Sequence, residues 1–567
     1  MKKGLFKLGE ILVEKGLLTP NQLYEALEIQ KKTHKRLGEI LIEKGLIKEE
    51  DLVKVLACQF NLEYVDLDKC KVSKEALQVF SPDIVKQHRI FPLKIEGETL
   101  VLVVSNPLDI FTLQNLKYLS GYRIKPVLST PKQIDEYINK YFGPMREAQQ
   151  AIKEIITRRD ESQIQEEVPL KELEKVVQEA PIIRLVNSII AEAIVQEASD
   201  IHLEPQKENM RIRYRIDGVL YERMNVPKHL QPLVISRIKI ISGMDIAERR
   251  RPQDGRMSIS MGEREYDIRV STLPDVFGEK VVLRILDKQK ILIPLENLGL
   301  DKEELAIIER LIYQPYGMIL VTGPTGSGKT TTLYSILHRL NDISRNIVTI
   351  EDPVEYELPG INQTSVNVRA GYTFATGLRH ILRQDPDVIM VGEIRDLETA
   401  EISIQAALTG HLVLSTLHTN SASGAIARLL DMDVEPFLIS SSVIGVIAQR
   451  LVRKLCPLCK EEYRPPPEII KEIKDLLPQN KNVKFARPKG CEECKNLGYK
   501  GRTAIFEILR ITPQIKRLIL KRAPEADIEK VGISEGMKTL RKSGVIKALN
   551  KITSLEEVMR VAFVKKI

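Results

Sequence analysis

Eight consecutive residues, Gly323-Pro324-Thr325-Gly326-Ser327-Gly328-Lys329-Thr330, have the types and spacing to bind phosphates, and Thr331 follows them. Glycines let backbone N–H groups close around anionic oxygens with no Cβ in the way. Lys329 has the reach to meet the outer phosphates, and the Thr330 hydroxyl can ligate Mg²⁺. The flanks agree. Met318-Ile319-Leu320-Val321 is an apolar run of strand length, and Leu333, Ile336, Leu337 and Leu340 recur at helical spacing. Strand, G-x-x-x-x-G-K-T loop and helix together are the context a P-loop requires, so the chain is expected to bind a nucleoside triphosphate.

Acidic residues occur where a doubly wound sheet would place ligands, at the carboxyl ends of strands. One group is Glu351-Asp352-Pro353-Val354-Glu355, after the strand-like Asn346–Ile350. The other is Glu393, just past Val388-Ile389-Met390-Val391, and it is expected to orient the attacking water. Asp387 precedes that run, so Mg²⁺ is expected to be reached through water and Glu393. His411 and His418 bracket another apolar run. Beside such an acidic strand they read as phosphate sensors, with a structural role for each as the alternative.

Four of the six cysteines form two C-x-x-C pairs, Cys456/Cys459 and Cys491/Cys494. Paired knuckles predict a closed tetrahedral Cys₄ zinc site with a structural role, whereas redox chemistry would need only one pair. Cys58 and Cys70 have no such partners.

The elements that must position these residues span 567 residues, too many for one core. Composition is that of an ordinary folded chain, 43% apolar and 29% charged, and a net charge of +8 is diagnostic of neither nucleic acid nor membrane. Met1-Lys2-Lys3 does not open a secretory leader, and the longest apolar tract, Pro436–Ala448, is too short to cross a bilayer. The expectation is a soluble, cytoplasmic protein.

The first 59 residues contain a repeat: Lys7-Leu8-Gly9-Glu10-Ile11-Leu12 returns as Arg36-Leu37-Gly38-Glu39-Ile40-Leu41, and each unit reads as two helices around a Gly turn. Thr19-Pro20 is a helix start. Residues 60–142 suggest a small α/β unit and 143–180 a charged, helical or flexible linker. Residues 181–293 form an arginine-rich α/β domain. Within it Arg211, Arg213 and Arg215 alternate with Ile212, Tyr214 and Ile216 and so share one strand face. That face is either ion-paired or turned to an anion. Asp217-Gly218 signals a hairpin. The motor core is expected over 294–502, with a zinc module at about 453–497, and a helical region over 503–567 in which Thr553 and Glu556 suggest a capping box.

Glu351-Asp352-Pro353-Val354-Glu355, Val391-Gly392-Glu393-Ile394-Arg395-Asp396 and Thr409-Gly410-His411 through His418 resemble the Asp box, Walker B and His box of the secretion-superfamily ATPases. Ala198-Ser199-Asp200-Ile201-His202 and Arg251-Pro252-Gln253-Asp254-Gly255-Arg256 resemble the domain that precedes their motor. The Cys₄ insertion and the long N-terminal extension narrow the resemblance to the assembly branch, the type IV pilus extension and type II secretion ATPases. It implies an α/β multidomain chain: a RecA-like P-loop core with the zinc module, a PAS-like α/β domain before it, and a tandem-repeat helical plus α/β N-terminal domain.

The resemblance further implies a homohexamer that hydrolyses ATP with Mg²⁺ and docks, peripherally, on a polytopic inner-membrane platform protein. Arg256 and Arg269 fall where the family's domain-closing arginines lie. The repeat resembles a tandem cyclic di-GMP-binding motif, with Arg36, Leu8, Gly9, Leu37 and Gly38 at matching positions, Lys7 in place of the first Arg and Val55 in place of a usual Ala. Competing classes are a nucleic-acid translocase and a cyclic di-GMP scaffold. The Glu-rich, aromatic-poor cysteine module argues against the first and the intact P-loop against the second, so no nucleic-acid partner is expected.

Overall fold

In a computed structural model of the chain, the apolar run ahead of Gly323 is the strand Gly317–Thr322, buried along its whole length. The structure describes all residues except 1–7, 34–36, 61, 74, 81, 107–109, 159–178, 263, 288–292, 478–482 and 564–567. Two units emerge, one of residues up to 216 with 220–261 and 268–285, the other of 217–219, 262–267 and the rest from 286.

The second unit is built on a seven-stranded sheet. Its order is Asn362–Ser365, Ile347–Glu351, Val388–Val391, Leu412–Leu417, Gly317–Thr322, Val443–Leu455 and Tyr499–Arg510. The first six run parallel, and the last is antiparallel to its neighbour. Parallel strands buried on both faces read as continuous apolar runs, which is why the sequence shows them without alternation. Alternate residues nevertheless choose faces. Met318, Leu320, Ile389 and Val413 pack under one set of helices. Ile319, Val321, Met390 and Leu414 pack with Leu333, Ile336, Leu337 and Leu340 of the helix Lys329–Leu340.

The expected boundary at residue 502 falls inside the strand Tyr499–Arg510, so the sheet extends past it. The helices that follow are fastened to that strand. Glu507 is buried and accepts N–H groups from Ala422 (2.8 Å) and Leu540 (3.2 Å), the first residues of two helices, and burial pushes its carboxyl pKa up. The last helix, Leu555–Ala562, is capped one residue later than the sequence suggested. Ser554 accepts from Glu557 N, while the Thr553 hydroxyl donates to Arg453 O. Glu557 is thereby free to take both Arg453 and Arg560, which outweigh its burial and hold its pKa at about 2.

In the first unit the repeat forms four helices, Leu8–Glu14, Pro20–Thr33, Leu37–Glu43 and Glu49–Phe60. Thr19 and Gln22 make reciprocal bonds at the start of the second, as Thr19-Pro20 predicted. A Cβ on Gly9 would lie 2.6 Å from Leu23 Cδ1, and one on Gly38 2.8 Å from Leu52 Cδ2. The two glycines therefore admit the equivalent leucine of their own unit's second helix. Leu8 and Leu37 are half-buried against the same small core, which holds Leu12 and Leu41 at its centre. Lys7 and Arg36 lie outside the described residues.

Next comes a four-stranded sheet ordered Glu63–Tyr64, Arg123–Leu128, Thr99–Val104, Phe91–Glu96, covered by helix Pro131–Phe142. Within the expected linker, residues Pro144–Arg158 form a helix that buries Ala148, Ala151 and Ile155, and its Glu154 pairs with Arg184 of helix Ala180–Val195.

A six-stranded sheet follows, in the order Val219–Pro227, Asn209–Ile216, Asp200–Pro205, Gly278–Asp287, Arg264–Asp275, Gln253–Met261. Asp217 (φ 48°) and Gly218 (φ 85°) make the predicted hairpin turn. Strand pairing sets Glu204 opposite Arg211 and Asp200 opposite Arg215. Glu204 binds Arg211 at 2.9 Å and Arg213 at 2.6 Å, and Asp200 lies 3.6 Å from Arg215. The aligned arginines thus lie on an ion-paired sheet face.

Candidate nucleotide site and metal centre

The loop after Thr322 turns directly into helix Lys329–Leu340, whose first N–H groups and positive dipole end face the loop's concave side. Gly326 (φ 78°) and Gly328 (φ 88°) hold left-handed conformations that other residues adopt only under strain. The Lys329 ammonium donates to the Gly323 and Pro324 carbonyls at 2.8 and 3.3 Å. Burial pulls its pKa down, and the negative Glu393 nearby opposes that. Thr330 is exposed at the first turn and Thr331 half-buried beside it. Pro324 is half-buried and Thr325 exposed, while Ser327 is buried.

Register decides which other residues meet this loop. Thr322 pairs with Leu417 and Val391 with Ser415, so Gly323, Glu393 and His418 emerge at neighbouring levels of one sheet edge. Glu393, its side chain only 15% exposed, accepts from His418 Nε2 at 3.2 Å and from Arg395. The segment just after His418 is tied to the loop's strand. Thr322 Oγ1 and Thr419 Oγ1 are 2.7 Å apart, and Thr419 N donates to Thr322 Oγ1 at 2.9 Å. Lysine, carboxylate and imidazole on one edge can neutralise phosphate charge and hold a water molecule.

Two expected site residues, His411 and Glu351, are placed elsewhere or otherwise engaged, and Asp387, which the sequence sets aside, lies apart from the loop. His411 is paired with Gly317, at the opposite end of the strand from His418. Its Nδ1 lies 2.9 Å from Ala406 O, where it closes the end of helix Leu397–Leu408. A strand of six residues separates the two histidines by ~20 Å, so they do not share a phosphate. Asp387 also lies at that far edge, its carboxylate accepting from Asn346 N at 2.7 Å. Glu351 is at the loop's edge but is 4% exposed. Its carboxylate is taken up by Tyr334, Thr349 Oγ1 (2.6 Å) and Gln363 Nε2 (3.2 Å), and burial, with the hydrogen bond to Glu351 second, raises the Tyr334 pKa. Arg256 and Arg269 belong to the first unit, on the adjacent strands Gln253–Met261 and Arg264–Asp275, the former exposed and the latter half-buried.

One residue that no motif flags touches the loop. Gln449, on the strand Val443–Leu455, is 2% exposed and bonds Thr332 Oγ1 and Ser327 O. The sequence offers one signal, a polar Gln449-Arg450 pair that ends the apolar run Val443–Ala448.

The cysteines converge because two strands run antiparallel. Leu455 pairs with Tyr499, so Cys456 leaves one strand where Cys494 approaches the other. All four sulfurs lie within 4.8 Å of one another. Cys456–Cys491, Cys459–Cys494 and Cys491–Cys494 are separated by 3.8, 3.7 and 3.7 Å. A tetrahedral ion with bonds of about 2.3 Å spaces its sulfur ligands by about 3.8 Å, so the four thiols fit one metal. Cys494 Sγ also accepts N–H groups from Cys491 (3.2 Å) and Gly498 (3.1 Å), which favour the thiolate.

No described helix is long and apolar enough to cross a membrane. The family model described as type II/IV secretion system protein matches residues 175–560, and the MshEN domain model matches residues 60–148, immediately after the helical repeat. The type IV pilus assembly ATPase PilB of Myxococcus xanthus is 43% identical over 559 residues, 98% of this chain and 98% of that protein. A putative type II secretion system protein E of Escherichia coli is 52% identical over 417 residues, 73% of this chain and 84% of that one. A solved structure of MshE with cdg is 31% identical and covers 24% of this chain and 99% of that chain, at a TM-score of 0.23. Its P-loop site, the family model over most of its length and a relative matched nearly end to end together make this chain a member of the type II/IV secretion system protein family, among its ATPases.

Proposed function

We propose that the chain is the hexameric, cytoplasmic motor that hydrolyses ATP to drive type IV pilus assembly, docked peripherally on a polytopic inner-membrane platform protein. The observation that carries this reading over type II secretion is the extent of the match. Likeness to the pilus assembly ATPase spans 98% of the chain, the N-terminal repeat as well as the motor, whereas type II relatives match 73% and 84% of it. Identity of 52% over the 417 residues matched to the Escherichia coli relative keeps type II secretion as the second reading.

In this account Lys329 meets the outer phosphates and Thr330 holds Mg²⁺, which neutralises charge developing on them. Glu393 orients the attacking water, His418 bears on Glu393 and reports the state of the γ-phosphate, and Arg256 and Arg269 complete the site when it closes. Zinc is the metal proposed for Cys456, Cys459, Cys491 and Cys494. A closed thiolate site activates no water, so its role there is to fasten the ends of two strands. Cyclic di-GMP is the ligand proposed for the repeat. Two tandem units suit a two-fold-symmetric dinucleotide, with Arg36 as the stronger polar grip and Lys7 the weaker.

Three outcomes test these assignments. In a host lacking this gene, wild-type protein restores surface pili and Glu393→Gln does not, its ATP hydrolysis falling at least about tenfold, or about 1.4 kcal/mol of barrier. Intact pili in that host with loss of exported enzymes would favour type II secretion instead. Metal analysis of the purified chain returns about one zinc per subunit, and a value near zero contradicts the Cys₄ assignment. Calorimetry with the full chain shows cyclic di-GMP binding that Arg36→Ala weakens and Lys7→Arg strengthens, and the absence of heat at high micromolar ligand rules the repeat out as that site.

A further inference from the structure

A loop that binds phosphate through its backbone must aim several N–H groups at one point, and a glycine-rich segment is costly to order that way. Here one side chain from outside the loop meets that requirement. Strand Val443–Leu455 runs parallel to Gly317–Thr322 in a register that pairs Ala448 with Thr322. The next residue, Gln449, therefore lies beside the point where the loop begins. Both ends of its amide are engaged: Thr332 Oγ1 donates to Oε1 at 2.6 Å, and Nε2 donates to the Ser327 carbonyl at 2.9 Å.

The second bond has a consequence for the neighbouring peptide. In a planar trans peptide the C=O of one residue and the N–H of the next point in opposite directions. Drawing the Ser327 carbonyl toward Gln449 turns the Gly328 N–H away from it. Two of the loop's glycines make room for the same residue. A Cβ on Gly323 would come within 2.5 Å of the Gln449 carbonyl oxygen, and one on Gly328 within 2.9 Å of Nε2. Glycine is thus needed at these positions for the approach of Gln449, apart from any need of the phosphates.

We propose that Gln449 is a positioning residue for the nucleotide: it fixes the Ser327–Gly328 peptide so that the Gly328 N–H faces the phosphates before ATP arrives. The inference rests on the P-loop being the ATP site. Such a role acts on ground state and transition state alike, so its loss raises KM and leaves kcat nearly unchanged. A merely structural residue would instead lower the active fraction, and kcat with it.

The test is nucleotide titration and steady-state hydrolysis of the full chain bearing Gln449→Glu, which keeps the acceptor for Thr332 and replaces the donor to Ser327 with a repelling oxygen. Weakening of ATP binding by about tenfold, with a matching rise in KM and a kcat within about twofold of wild type, is the expected result. If that protein does not fold, Thr332→Val loosens the same amide from its other end and is expected to raise KM about threefold. Unchanged KM in the folded variant, or a fall in kcat alone, overturns the proposal. Lys329→Ala, titrated in parallel, checks the loop itself. Binding lost there but unaltered at Gln449 sinks this inference and spares the ATP reading.

Discussion

Six strands of the motor sheet point the same way, and nearly everything chemical follows from that. Parallel strands bring all their carboxyl ends to one edge, so whatever residue follows each strand is delivered to a common line. Thr322 is followed by the P-loop, Val391 by Gly392 and Glu393, and Leu417 by His418, while Gln449 reaches the same level from within the longer strand Val443–Leu455. These segments are far apart in the chain, and none contacts another through local structure. Fully buried apolar strands hold the register, because a slip by one residue would drive each strand's side chains into the wrong face of the sheet. The geometry of the candidate site is therefore maintained by the same burial of Met318, Ile319, Leu320 and Val321 that makes the strand.

The same edge rule separates look-alike residues. His411 and His418 flank one strand in the sequence and sit at its two ends in space. Asp387 and Glu393 flank another in the same way. Each residue at the amino edge has a backbone partner: His411 closes a helix through Ala406 O, and Asp387 accepts from Asn346 N. Glu351 reaches the proper edge and is still withdrawn, because Tyr334, Thr349 and Gln363 take up its carboxylate. Position on the edge is thus not sufficient for a free side chain beside the loop.

Where the signal was local, the sequence was legible. The P-loop, its strand and helix, the hairpin at Asp217-Gly218 and the helical repeat depend on neighbours within a few residues, and each could be read directly. The C-x-x-C pairs carried enough chemistry to be joined without knowing the strands that unite them. Long-range partners were the part that could not be read. Nothing near Gly9 or Gly38 announces that Leu23 and Leu52 fill the space a Cβ would take, so those glycines resemble ligand contacts until the helices are packed. Arg211, Arg213 and Arg215 look unbalanced until strand pairing sets Glu204 and Asp200 against them. Gln449 is silent for the same reason, since its partners are set by sheet order alone.

If the carboxyl edge of the motor sheet, and not proximity to a motif, decides which residues of that sheet meet the nucleotide, two histidines at opposite ends of one strand must differ in their effect. The most direct test is ATP hydrolysis by two single variants, His418→Asn and His411→Asn, compared at equal folded concentration. The account predicts a loss of at least about tenfold in kcat for His418→Asn, whose imidazole contacts Glu393, and a kcat within about twofold of wild type for His411→Asn. Equal losses in the two variants, or a larger loss at His411, would contradict it.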